Sequence, residues 1–316
     1  SLYWMSRYME RAENMARLLE VGYRISLMPG AVEGHRDEWH STLQSAACSH
    51  SYDQHHGEIT AADVIHFLIF DERNSSSITS SIKTARNNAR AVRTAITRDV
   101  WESINTTWNE LAQVKPQSLT ADRLPEFLEW IKQRVMSFRG ALLGTMLRND
   151  TYYFSQIGNF LERADNTARL LDVKFQSLAG DDYFGPRGSQ REAVQEVDFY
   201  HWSAVLRSVS GFEVYRKVYR NVIRPDRVAE LLILRPDMPR SLAACMNALM
   251  LNLGLVANAQ SDETLRRAGR LHSDLKYGRI DEILATGLHA YLTQFLDRVG
   301  DLGVGISRDF LVPMAA

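Results

Sequence analysis

Arg7, Glu10, Asn14 and Arg17 are spaced three, four and three residues apart, and at about 100° per helical residue they fall within about 80° of one another. A carboxylate, an amide and two guanidinium groups on one stripe have two uses. Buried, they fasten one helix to another through charge-assisted hydrogen bonds. In a cleft, the arginines grip a phosphate or carboxylate in their planar forks, and Glu10 takes up a proton. Arg11 sharpens the choice, because Arg7 and Arg11 repel at four residues' separation unless an anion lies between them. The pattern occurs twice: MERAENMARLLEV (9–21) returns as LERADNTARLLDV (161–173), with Asn159, Glu162, Asn166 and Arg169 on the equivalent stripe and Arg163 beside it. Glu10 and Glu162 are the candidate general bases. Arg7, Arg11, Asn14, Arg17, Arg163, Asn166 and Arg169 are the candidate anion ligands. Glu13 with Arg17, and Asp165 with Arg169, are ordinary i,i+4 pairs worth only roughly 0.2–0.5 kcal/mol when exposed.

A second stripe, Lys83, Arg86, Arg90 and Arg93, repeats the spacing without acidic partners at helical distance. The preceding DERNSSSI (71–78) is rich in capping residues, and a helix start presents N–H groups to anions. The two readings are an anion site and a solvated basic face. CSHSYDQHHGE (48–58) holds Cys48, His50, Asp53, His55, His56 and Glu58, but their spacing matches no closed zinc pattern, and neither a metal nor a cofactor is assigned. The sequence has no Gly-rich phosphate loop, nucleophile elbow, HExxH or Cys/His nucleophile signature, which counts against the common hydrolase and nucleotide-hydrolysing classes.

The elements that position these residues read at helical period nearly throughout, so an all-α fold is expected. Helices are expected near 2–28, 37–52, 60–70, 76–112, 124–148, 151–178, 196–220, 226–234, 240–260, 262–277 and 281–311, with breaks at PGAVEG (29–34), VKPQS (114–118), AGDDYFGPRGS (179–189) and RPDMP (235–239). The chain also repeats in order. Glu10 and Glu162 lie 152 apart, Trp39 and Trp202, Leu43 and Leu206, and Tyr52 and Tyr215 each 163, Ser77 and Ser241 164, and Arg148 and Arg308 160. A repeat this long is a duplicated subdomain and not a solenoid unit. The expectation is an internally duplicated helical bundle, halves 1–150 and 151–316, packed pseudo-symmetrically as one unit.

With 316 residues, 45% hydrophobic and 24% charged, the chain can bury a sizeable core. A net charge of -1 gives no global pull toward nucleic acid or an anionic membrane, and neither is expected as a partner. Two distant cysteines, Cys48 and Cys245, build no disulfide framework and fit a reducing cytosol. The uncharged run 241–261 is long enough to raise a membrane span, but Asn247, Asn252 and Asn258 within it favour a helix buried in protein.

The segments SLYWMSRYMERAENMARLLEV, FDERNSSSITSSIKTARNNARAVR, LERADNTARLLDVKF, FEVYRKVY, VAELLILRPDMPRSL and IDEILATGLHAYL resemble the alpha-E domain family, helical proteins named for a recurrent Glu-Arg motif and catalogued as of unknown function. The family pattern usually has arginine where Asn159 stands and proline where Ser75 stands. The resemblance implies association with circularly permuted ATP-grasp proteins and transglutaminase-like peptidases, hence a peptide or amide-bond-forming system. Three functions follow as expectations: an accessory partner of an amide ligase, using the arginines to hold an anionic peptide, an acyl-phosphate or the partner itself; an enzyme with Glu10 or Glu162 as base and arginines stabilising an anion; or a scaffold in which the stripes only join helices.

Overall fold

A computed structural model describes residues 1–27, 35–179, 192–220 and 222–311, and among them every regular element is helical. The chain divides into two compact units, Ser1–Glu162 and Arg163–Ala316. The division falls inside a continuous helix, twelve residues beyond the expected boundary at 150, because no linker separates the units there.

The first unit contains α1 (Leu2–Ser26), α2 (His35–Ser45), α3 (Ser49–Asp53), α4 (Ala61–Ile69), α5 (Ile78–Ala91), α6 (Arg98–Leu111), α7 (Leu124–Thr145) and the opening turns of α8 (Asp150–Ala179). α1 is its centre, lying against α5 and α7, with α6 packed on both of those. Met5, Met9, Ala12, Met15, Ala16 and Leu19 of α1 are buried. They feed two apolar clusters, one with Trp39, Leu43, Tyr52, Phe67 and Leu128, the other with Ala85, Val100, Val135 and Phe138. Thr60, Ser77 and Thr97 start α4, α5 and α6, each hydroxyl accepting a first-turn N–H at 3.2, 3.1 and 3.4 Å.

The second unit contains the rest of α8, then α9 (Glu192–Ser208), α10 (Phe212–Tyr219), α11 (Pro225–Ile233), α12 (Leu242–Leu255), α13 (Asp262–Tyr277), α14 (Ile280–Thr286) and α15 (Leu288–Ile306). α12 packs on α13, α13 on α15, and α11 on α9, α10, α12 and α14. The end of α15 widens into a π turn, Ser307–Leu311, where buried Asp309 accepts from the Thr264 hydroxyl at 2.6 Å.

Four expected helices are broken where no proline marks the sequence. The span 76–112 ends as α5 at Ala91 and restarts as α6, because Thr97 caps a new first turn. The spans 37–52 and 196–220 break at Ala47 and Ser210, both at φ 54°, and 281–311 breaks at Gly287, φ 98°, left-handed conformations that a helix cannot contain. Of the expected breaks, 29–34 and 180–189 lie outside the described residues. The uncharged run 241–261 also needs correction. Its helix α12 is not buried all round: Leu242, Cys245, Met246, Leu249 and Leu253 face inward, whereas Asn247, Leu251 and Leu255 are exposed. The exposed face is itself apolar, so composition hid the two-sidedness. Among the described residues no helix is long and apolar enough to cross a membrane.

Details recur between the units at the 163-residue spacing. Ala47 and Ser210 share their φ. Trp39 and Trp202 are both buried. Tyr52 donates its hydroxyl to the Glu58 carbonyl at 3.1 Å, and Tyr215 to the Val222 carbonyl at 2.8 Å.

Candidate functional site

The repeated Glu-Arg residues meet through an exchange of partners. α1 approaches the opening turns of α8 so closely that Gly158 faces the Tyr3 carbonyl with no room for a side chain. Arg7 Nε donates to Glu162 Oε2 at 2.8 Å, and Arg11 donates Nε to Oε1 at 2.5 Å and NH2 to Oε2 at 3.1 Å. Glu162 is therefore the anion that lets Arg7 and Arg11 stand side by side. Its side chain is 7% exposed, against 18% for Arg7 and 24% for Arg11. Aromatic rings from α1 cover the guanidinium groups: Arg7 lies 5.4 Å from the Tyr3 ring and 5.2 Å from the Trp4 ring, and Arg11 lies 5.1 Å from the Tyr8 ring. Arg7 also donates to the Tyr3 hydroxyl at 3.0 Å.

Burial alone would raise the Glu162 carboxyl, but Arg11 and Arg7 outweigh it and hold its pKa below the ordinary glutamate value. Burial likewise opposes the charge on Arg7 and Arg11, and Glu162 reverses it, leaving both above their ordinary value. A carboxylate held ionised by two guanidinium groups is a poor general base near neutral pH.

Glu10 has a different partner. Arg139 of α7 donates to Glu10 Oε2 at 2.6 Å and closely approaches Glu13. Arg17 forks onto Glu13 Oε1 at 2.9 and 2.6 Å. Glu10 and Glu13 are both 0% exposed, and Asn14 is buried among them. One turn further, Lys132 of α7 and Arg24 both bind Glu20, at 2.7 and 2.8 Å. The stripe is thus part of a ladder: Arg7 and Arg11 face α8, Glu10 and Glu13 face α7, and Glu20 continues to α7. Arg139, Lys132, Glu20 and Arg24 are the members that the spacing did not show, and Glu13 was visible in it only as an ordinary partner of Arg17. A lone arginine in SFRGALL carries no pattern of its own.

Of the remaining stripe residues, Asn159 belongs to the first unit and is buried, and the others belong to the second. Arg163 is buried, Asn166 is half-buried, and Arg169 forks onto Asp165 at 2.8 and 3.1 Å. Arg169 also lines a cleft of about 530 Å³ with Thr293, Asp297, Gly300 and Asp301. The described counter-charges of Glu162 are Arg7 and Arg11.

The basic stripe of α5 is spread along a surface. Lys83 reaches Glu72 at 2.9 Å, an acidic partner that helical spacing could not show. Arg86 donates to the Asn105 side chain at 2.8 Å. Arg86 and Arg93 lie 5.9 and 5.6 Å from the Trp101 ring. Arg93 falls beyond the end of α5, and both it and Arg90 are exposed. The His-rich segment packs: His56 stacks on Tyr52 at 4.6 Å, Cys48 is buried, and His50 and His55 bond within their own turn. Among the described residues no three His, Cys, Asp or Glu side chains converge on a metal position.

The described elements are all helical, and two similar Glu-Arg segments contribute to a buried ion-pair ladder. The chain belongs to the Alpha-E family, described as a predicted alpha-helical domain with a conserved ER motif, whose model matches residues 1–311. Uncharacterized proteins of Mycobacterium bovis and Mycobacterium tuberculosis are similar to it, 24% identical over 315 residues. The match covers 93% of this chain but 34% of each of those relatives, so the chain spans about a third of their length. No solved structure matches. In this chain the glutamate of the second ER pair, Glu162, is held by the arginine of the first, Arg11.

Proposed function

We propose that this Alpha-E chain is a non-catalytic accessory module that holds an acidic partner surface or anionic peptide on the basic face formed by Lys83, Arg86, Arg90 and Arg93. The observation that carries the reading is the contrast between its two sets of cations. Arg7, Arg11, Arg17 and Arg139 are committed to Glu162, Glu13 and Glu10, whereas Arg90 and Arg93 are exposed and have no carboxylate partner among the described residues. The general-base alternative is disfavoured by the complete burial of Glu10 and the lowered pKa of Glu162. The scaffold reading describes the Glu-Arg ladder itself.

The partners this reading names come from the family resemblance: a circularly permuted ATP-grasp protein first, a transglutaminase-like protein second. Relatives about three times as long as this domain support a module that works beside others. The two buried free cysteines suit a reducing cytoplasm. The recurrences at 163 residues support descent from a duplicated half.

The test is capture of the ATP-grasp protein from the native organism by the tagged full chain, beside a Lys83→Glu/Arg90→Glu/Arg93→Glu variant. The wild type should retain the ATP-grasp protein and the variant should lose it at least tenfold, with melting unchanged because these side chains are exposed. Equal retention defeats the basic face as the docking surface. No retention by the wild type defeats the partner.

A further inference from the structure

The second unit holds a cleft of about 630 Å³ lined by Tyr219, Arg224, Arg227, Glu230 and Arg235, with Val218 and Val222 at its apolar side. We propose that this cleft binds the phosphate group of a small phosphorylated ligand, the three arginines gripping the oxygens and the two valines meeting the organic part. The arginines come from three positions: Arg224 immediately before α11, Arg227 in its first turn, and Arg235 just beyond its end.

Each guanidinium group is fixed by a carboxylate. Asp226 accepts from Arg224 at 3.1 and 2.8 Å, and Asp237 accepts from Arg235 at 2.8 and 2.5 Å. Arg227 donates to Glu230 at 3.0 Å and lies 5.3 Å from the Tyr219 ring. These contacts use two N–H groups of Arg224 and Arg235 and one of Arg227, out of five on each. The groups left over are oriented before any ligand arrives. Asp226 and Asp237 are not lining side chains, so on the cleft surface three guanidinium groups face the single carboxylate of Glu230, with the two aspartates offsetting part of the charge from behind. A phosphate monoester carries about -1.5 to -2 at neutral pH and three acceptor oxygens. It therefore meets three guanidinium forks better than a single carboxylate with two oxygens does.

Tyr219 stays a phenol. Burial, and then its hydrogen bond to Glu230 at 2.9 Å, raise its pKa well above the ordinary tyrosine value. Its proton is directed to Glu230, which keeps that carboxylate turned to the tyrosine and to Arg227 and away from a bound anion. In the first unit the helix of the same length, α4, begins at a threonine whose hydroxyl caps it, whereas α11 begins at Arg224 with no side-chain cap. The capping hydroxyl of the one unit is thus replaced by an anion-binding side chain in the other.

The test is calorimetric titration of the full chain with inorganic phosphate, phenyl phosphate and glutarate at low ionic strength, where arginine–phosphate attraction is least screened. Both phosphates should bind saturably at one site and glutarate at least tenfold more weakly. Arg227→Gln/Arg235→Gln should weaken phosphate at least tenfold with its melting temperature retained. Arg266→Gln, at an exposed second-unit arginine that does not line the cleft, should bind as the wild type does, which separates this cleft from general surface charge. Should the double variant melt early, Arg224→Gln repeats the test at a side chain that is 61% exposed, with at least threefold weakening expected. No saturable phosphate binding, equal affinity in the arginine variants, or glutarate binding as tight as phosphate overturns the proposal.

Discussion

At the scale of single residues, Glu162 decides whether the ER motif is a fastener. Breaking a buried ion pair costs about 3–5 kcal/mol. Arg7 and Arg11 remain 18% and 24% exposed, so water recovers part of the loss, and Glu162→Gln should destabilise by about 2–3 kcal/mol. Urea unfolding at neutral pH measures it, and a midpoint equal to wild type would show that Glu162 fastens nothing. The acid limb gives an independent reading. Because the folded pKa is depressed from 4.5, the contribution is complete above that value and is lost as pH falls through the folded one. Glu162→Gln should therefore flatten the stability profile below about pH 4.5. Leu170→Ala at a buried position should cost about 2–5 kcal/mol through a cavity and leave that slope as it was. The motif's residue types and spacing made Arg7, Arg11 and Glu162 visible in the sequence. Their pairing was not visible, because a helical stripe gives direction and no partner. Arg7 and Arg11 reach Glu162 from a different helix, α1.

At the scale of elements, α1 is joined to its neighbours by two kinds of contact that respond differently to mutation. Toward α7 the join is ionic: Arg139 serves two carboxylates with no exposed surface. Arg139→Leu removes the guanidinium that joins Glu10 and Glu13 to α7. The expected loss is about 3–5 kcal/mol, and a thermal midpoint near wild type would defeat it. Toward α8 a steric constraint is added to the Arg7 and Arg11 pairs with Glu162. A methyl group at Gly158 would collide with the Tyr3 carbonyl, which is backbone and cannot rotate away. Gly158→Ala should cost about 1–3 kcal/mol or more, although alanine favours an isolated helix by about 1 kcal/mol. A stabilised Gly158→Ala variant would show that the helices do not approach this closely. Helix type and order were legible because the 3.6-residue period runs through nearly every segment. Breaks at Pro116 and Pro236 were legible for the same kind of reason. Those at Ala47 and Ser210 were not, since a left-handed residue without glycine leaves no compositional trace.

At the scale of the whole molecule, the first unit already owns what an independent domain needs. Its two apolar clusters draw only on residues between Leu2 and Tyr152. The described contacts of its ladder run as far as Glu162, the last residue of the unit. A segment with its own core can fold alone, and one only slightly longer than the small domains that unfold in one cooperative step is expected to do the same. A fragment ending at Ala179, which keeps α8 intact, should therefore give a helical circular dichroism spectrum and a single sigmoidal urea transition. Arg139→Leu should lower the midpoint of that transition by the same free energy as in the full chain, because every described contact of the ladder lies within the fragment. Urea denaturation followed by circular dichroism, fragment against full chain, measures both quantities. A fragment that is helical but melts without cooperativity would mean that its core is incomplete on its own. A cooperative fragment in which Arg139→Leu has no effect would mean that the ladder gains its strength only in the full chain.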